Sequence, residues 1–202
     1  MRRSLFLFIA IAAVLPAASP AATWSIDPVH SVAHFRVRHL AVSYVSGSFG
    51  KVSGVVRFDA SDPTKSSVEA TIRTATIDTG VADRDKHLKS SEFLDVEKYP
   101  TIRFKSKRVE RTSPGHLAVT GDLTLHGVTK EVVLHVDGPT PPVKDPWGNL
   151  RTGASATITI NRHDFGISWS QTLDGGGLVV GNDVLISIDL EMVRKLDAAG
   201  SP

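Results

Sequence analysis

Ser67-Val68-Glu69-Ala70-Thr71-Ile72-Arg73 puts Val68, Ala70 and Ile72 on one face of an extended chain and Glu69, Thr71 and Arg73 on the other. Alternation with a period of two is the mark of a half-buried strand. It recurs in Ile102-Arg103-Phe104-Lys105, and in both directions along the chain. Working outward, strands are expected at 29 to 39, 45 to 59, 67 to 77, 101 to 109, 116 to 125, 130 to 138, 151 to 161 and 183 to 193. Eight strands are what a small closed barrel needs. Turn chemistry separates them: Asp59-Ala60-Ser61-Asp62-Pro63, Ser113-Pro114-Gly115, His126-Gly127, and a loop from Pro139-Thr140-Pro141-Pro142 to Trp147-Gly148. Gly47, Gly50 and Gly54 in the long second strand predict a bend or bulge. Only 80 to 94 break the pattern, and there Val81, Leu88 and Phe93 among charges fit a short helical insertion. The fold class is therefore all-β, an eight-stranded barrel carrying that insertion.

Ahead of the barrel, Met1-Arg2-Arg3, an apolar run from Leu5 to Leu15 and small residues from Ala17 to Ala22 stand in the order of a secretory signal. The run is too short for a stable membrane anchor. Cleavage after Ala21 places Ser19 and Ala21 where small side chains are needed, so we expect a signal peptide over 1–21, one domain over 22–196 and a frayed tail over 197–202. An exported protein of this kind is expected in the periplasm. The chain has no cysteine, hence no disulfide framework and no thiol for lipid attachment.

The formal charge of +2 disappears with Arg2 and Arg3, which leaves 21 basic and 21 acidic residues. Arg103, Lys105, Lys107, Arg108 and Arg111 form the one basic cluster. They mostly alternate with other residues as the wet face of a strand does, so no nucleic-acid partner is expected. A barrel spanning the outer membrane would turn its apolar residues outward between aromatic girdles. An aromatic content of 6%, a polar C-terminal tail and charges at mid-strand argue for the soluble arrangement, apolar face inward.

That inward face supplies the candidate ligand-binding residues: Phe35, Val37, Val56, Phe58, Ile72, Phe104, Val119, Leu123, Leu134, Ile158 and Ile186. They either fill the barrel as core or line a hollow. Ala33, Ala70, Gly121, Ala154 and Ala156 on or near the same faces leave room that bulky residues would have closed. Arg84, in the charged run Asp83-Arg84-Asp85-Lys86-His87, is the candidate donor to a ligand head group at the mouth. The alternative is a salt bridge to Asp83, Asp85 or Asp95 that only holds the loop.

The histidines do not form a recognisable metal site. His30 and His34 have the spacing of a helical zinc clamp but fall in a strand pattern, where four residues span about 13 Å. His39, His87, His126 and His163 are scattered singly. Asp164-Phe165-Gly166 imitates the kinase metal-binding triplet without a phosphate loop or lysine partner. Gly175-Gly176-Gly177 lacks dinucleotide-fold spacing. Asp83, Asp85, His87, Asp95 and His163 could converge at one barrel mouth, but no nucleophile elbow or spaced acid pair accompanies them. No catalytic residue, metal or cofactor is expected.

Several separated motifs add a resemblance. Trp24-Ser25-Ile26-Asp27-Pro28-Val29-His30, His39-Leu40, Asp83 to Leu88, Phe93-Leu94-Asp95, Tyr99-Pro100, Gly121 to Gly127 and Arg162 to Gly166 stand in an order that resembles the YceI-like family of secreted, lipocalin-like proteins. The resemblance implies a cavity that takes up a long polyisoprenoid, such as a respiratory quinone or a prenyl phosphate, without covalent linkage. Transient membrane contact and a monomer or homodimer remain open under it. An enzyme acting on such a lipid, or a filled-core stress-response module, are the alternatives.

Overall fold

The computed structural model describes residues 21–195. Residues 1–20 of the expected signal peptide and the expected tail 197–202 lie outside the described residues.

In chain order the strands are β1 (Ala22–Ile26), β2 (Val32–His39), β3 (Ser43–Phe49), β4 (Ser53–Phe58), β5 (Ser67–Arg73), β6 (Ile77–Asp78), β7 (Thr101–Ser113), β8 (His116–Leu125), β9 (Val128–Asp137), β10 (Val143–Lys144), β11 (Leu150–Asn161) and β12 (Val180–Arg194). One helix, α1 (Ala82–Lys89), sits between β6 and β7. The barrel closes because β12 pairs with both β11 and β1. The short strands join end to end. β1 and β2 share one edge of β12, β3 and β4 form the next stave, and β5 and β6 the one after. The result is a closed eight-staved antiparallel meander in which each stave pairs with its neighbours in sequence.

Three of the expected strands are thus broken. The second, expected over 45 to 59, is interrupted at residues 50–52, where Lys51 has φ 59°. The first begins earlier than expected, at Ala22, and is cut by a turn from Asp27 to Ser31. Pro28 can donate no ladder hydrogen bond, and the Asp27 carboxylate accepts the Val29 N–H at 2.9 Å, closing that turn. His30 therefore lies in a turn, which corrects the strand placement. The third yields to a 3₁₀ turn at Thr74–Thr76 between β5 and β6, anchored where the buried Thr74 hydroxyl donates to the Tyr99 carbonyl at 2.8 Å. The insertion forms a helix only over Ala82–Lys89, followed by turns that deliver Phe93 and Leu94 to the barrel.

β12 shows the orientation of the whole sheet. Val184, Ile186, Ile188, Leu190 and Met192 face the interior. Asp183, Ser187 and Asp189 face water. On β7, Lys105 and Lys107 pair outside the barrel with Glu69, Asp122 and Glu131. Apolar residues in and charges out at mid-strand is the reverse of a membrane-spanning barrel. Ile77, Phe93, Leu94, Leu125, Ile160, Phe165 and Ile167 pack into a plug that shuts one end. The wall closes most thinly between β9 and β11, which share the three pairs Ser155–Asp137, Ala156–Val136 and Thr157–His135.

Candidate functional site

Above the plug the barrel is hollow, with a cavity of about 840 Å³, inside the range of small-molecule sites. Eleven of the sequence-selected residues stand on its wall: Phe35, Val37, Val56, Phe58, Ile72, Phe104, Val119, Leu123, Leu134, Ile158 and Ile186. Most of them are only half-buried although they point inward. Side chains of a packed core at these positions would be buried, so the exposure arises from the hollow itself. Ala33, Ala70, Ala154 and Ala156 also line it. Gly121 does not, because the Phe104 ring and the β7 backbone occupy the space where its side chain would go.

Arg84 is not on that wall. Its Nε donates to the Thr79 hydroxyl at 2.8 Å and an Nη to the Thr79 carbonyl at 3.0 Å, so it braces the start of α1 and makes none of the expected salt bridges. Asp85 does the same from the other side, accepting both the Thr79 N–H and its hydroxyl, and these bonds hold its carboxyl below its ordinary pKa. His87 pairs with Glu92 and meets Phe93 and Trp169 edge-on. Phe165 of the kinase-like triplet is a core residue, exposed by 2%.

Two arginines were not among the selected site residues: Arg162, which the sequence reading held only as part of the motif Arg162 to Gly166, and Arg194. Arg162, 4% exposed, sits at the plugged end and donates to the carbonyls of Ile167, Trp169, Val180 and Gly181 and to the Asn182 side chain. Burial lowers its pKa, yet a guanidinium stays charged at any working pH. At the end opposite the plug Arg194 continues the inward row of β12, two residues beyond Met192, and lines the same cavity as Thr140, Pro141 and Pro142 of the long loop. The expected strand stopped at 193, one residue short of it. The inward parity of β12 was the available signal.

Outside the barrel, Arg151 gathers three carboxylates. It bonds Asp27 at 2.9 Å and Asp145 at 2.8 Å, and it also bonds Glu191. This ties the Asp27–Ser31 turn and the 145–149 loop to β11 and β12. Asp27, held chiefly by His30 and then by Arg151, has a pKa well below the carboxylate range. For Asp145, burial works upward, but bonds from Arg151, Asn149 and the backbone bring it to about 2. Among the described residues Asp27, His30 and Glu191 form the one cluster able to offer three metal-ligand atoms. Arg151 already sets its positive charge against the Asp27 and Glu191 carboxylates of this cluster.

Both folded pKa values are depressed relative to about 3.9 in an unfolded chain, so the network's stabilisation is complete above that value and is lost as pH falls through it toward 2. Arg151→Met should therefore lower the melting temperature clearly at pH 6 and by progressively less as pH approaches 2. A deficit of the same size at both pH values would show that the carboxylates are not what Arg151 holds.

The amino-acid sequence matches one family model. The YceI-like domain profile aligns with residues 24–192. This chain belongs to the YceI-like family. A UPF0312 protein of Pseudomonas savastanoi pv. phaseolicola is 43% identical over 153 residues, covering 72% of this chain and 77% of that one. The solved YceI protein of Campylobacter jejuni is similar at 30% identity with a TM-score of 0.66, covering 78% of this chain and 90% of its own. A polyisoprenoid binding domain from Saccharophagus degradans superposes with a TM-score of 0.60 over 86% of this chain and 98% of its own. At 15% identity that last likeness is one of fold.

Proposed function

We propose that this YceI-like chain is an exported periplasmic protein that sequesters or carries a long isoprenoid or similar amphiphile, and that it binds rather than transforms it. The observation that carries the reading is the row of inward, half-buried apolar side chains around an unfilled 840 Å³ hollow. A methylene moved from water into such a space gains about 0.8 kcal/mol. Even a practical yield of about 0.3 kcal/mol per heavy atom gives a chain of some 25 atoms useful affinity without metal or covalent bond. The binding domain from Saccharophagus degradans shares the architecture, and the order of residues 1–21 supports export.

Native mass spectrometry of protein recovered from its own host tests this. The expected species starts at Ala22, comes from the soluble periplasmic fraction and carries lipid that organic extraction releases. In the same preparation Ile158→Trp, which puts an indole into the hollow beside the plug that Ile158 packs against, should lose most of the lipid while costing no more than about 1–3 kcal/mol of stability, as an overpacked wall does. Lipid-free wild type, or equal lipid in both proteins, would defeat the reading.

A further inference from the structure

Among the described residues two buried side-chain polar atoms have no hydrogen-bond partner, the Thr120 hydroxyl and the Nε of Arg194, and of the two residues only Arg194 lines the cavity. Along β12 the inward row runs Val184, Ile186, Ile188, Leu190, Met192, Arg194 and so changes from apolar to cationic at its last position, at the end of the barrel opposite the plug. The guanidinium of Arg194 lies 4.9 Å from the centre of the Trp24 ring, which is 4% exposed. A stack of this kind engages the flat face of the guanidinium and leaves its in-plane N–H donors unspent. Among the described residues Arg194 has no carboxylate partner, and its Nε is buried without any hydrogen-bond acceptor. Buried donors are nearly always satisfied in proteins, and an exception calls for an explanation.

Arg162 at the other end sets the contrast. There every direction of the fork meets a carbonyl or an amide oxygen of the protein. Arg194 presents the same fork beside Trp24 and, among the described residues, has no carboxylate to hold.

We propose that Arg194 is the head-group site of the cavity and selects amphiphiles ending in a phosphate or carboxylate over neutral ones with the same tail. A two-oxygen anion matches the guanidinium fork, and the bonds formed are charge-assisted. A tail entering at the Arg194 end would run toward the plug and leave such a head beside Arg194 and the Thr140 side of the rim. This inference rests on the lipid-carrier reading of the same cavity.

The test is isothermal titration with geranylgeraniol, geranylgeranyl monophosphate and inorganic phosphate. Wild type should bind the phosphate ester at least about tenfold more tightly than the alcohol. Arg194→Met, which keeps an apolar stem against Trp24, should erase that preference by weakening binding of the ester far more than that of the alcohol. Arg194→Lys should keep only part of it, since an ammonium supplies charge without the fork. Inorganic phosphate should compete poorly. Equal affinity of wild type for ester and alcohol, or a preference that survives Arg194→Met, overturns the assignment and leaves the cavity reading standing. Inorganic phosphate binding as tightly as the ester would make this a free-anion site and also overturn it. Failure of wild type to bind either long-chain probe overturns both readings.

Discussion

Arg162→Leu is expected to lower the unfolding free energy by about 3–5 kcal/mol, the cost of leaving two or more buried carbonyls without a donor. The leucine removes every bond from the side chain to the 167–182 segment and leaves carbonyls of Ile167 and Trp169 without their donor. Each such unsatisfied group costs about 1–3 kcal/mol when buried. The segment also carries Ile167 into the plug, so its release would loosen the closed end of the cavity. Arg162→Lys should recover less than half of the loss, because three ammonium donors cannot reach acceptors arranged for a planar fork. Urea unfolding monitored by tryptophan fluorescence measures both variants, with Trp169 reporting locally. A loss under about 1 kcal/mol for the leucine variant would mean that the packing of Phe165 and Ile167 holds this end without the arginine.

Gly54→Ala should cost about 3 kcal/mol or more, toward the upper end for overpacking in a closed structure. Gly54 on β4 pairs with Ile26 on one side and Ala70 on the other. A methyl group there would come within 2.0 Å of the Glu69 carbonyl oxygen and 2.9 Å of the Ala70 Cα. These are backbone atoms, so relief requires β4 and β5 to part. The φ of 153° adds strain for any residue with a Cβ. Gly50→Ala is the control: nothing lies within 4 Å of the added methyl, and its effect should stay within about 0.5 kcal/mol. Thermal melts of the pair suffice, and equal melting temperatures would contradict the close approach of β4 to β5.

The sheet was legible in the sequence because a one-sided wall must alternate, as Val68, Ala70 and Ile72 do against Glu69, Thr71 and Arg73. The interruption near Gly50 was legible as a bend, since three glycines in one strand have few other uses. The break at Asp27–Ser31 was not, although Asp-Pro carries a turn signal, because the flanking residues continue the alternation on either side. The cavity wall was readable for the same reason as the sheet, but whether the barrel was filled or hollow depends on how far opposite walls stand apart. No local pattern encodes that distance. The arginines show the limit most clearly. Arg84 stands in the densest run of charge and turns to Thr79, whereas Arg162 and Arg194 lie in ordinary strand-end sequence and reach the two ends of the hollow. Charge density along a chain does not specify direction, and only parity within β12 could have singled out Arg194.

The narrow seam between β9 and β11 gives the barrel a mechanical character. Beyond Thr157–His135 the two strands are no longer laddered, although Leu134 and Ile158 still form part of the wall. The neighbouring boundary of β11 with β12 is laddered from Leu150 to Asn161, and that of β9 with β8 along the whole of β9. Resistance to separation is therefore uneven around the circumference, and local opening concentrates where the fewest rungs must part. β9 can tilt against β11 and change the bore while the long ladders stay intact. The circumference thus has one weak seam, and any strain on the wall is released there first.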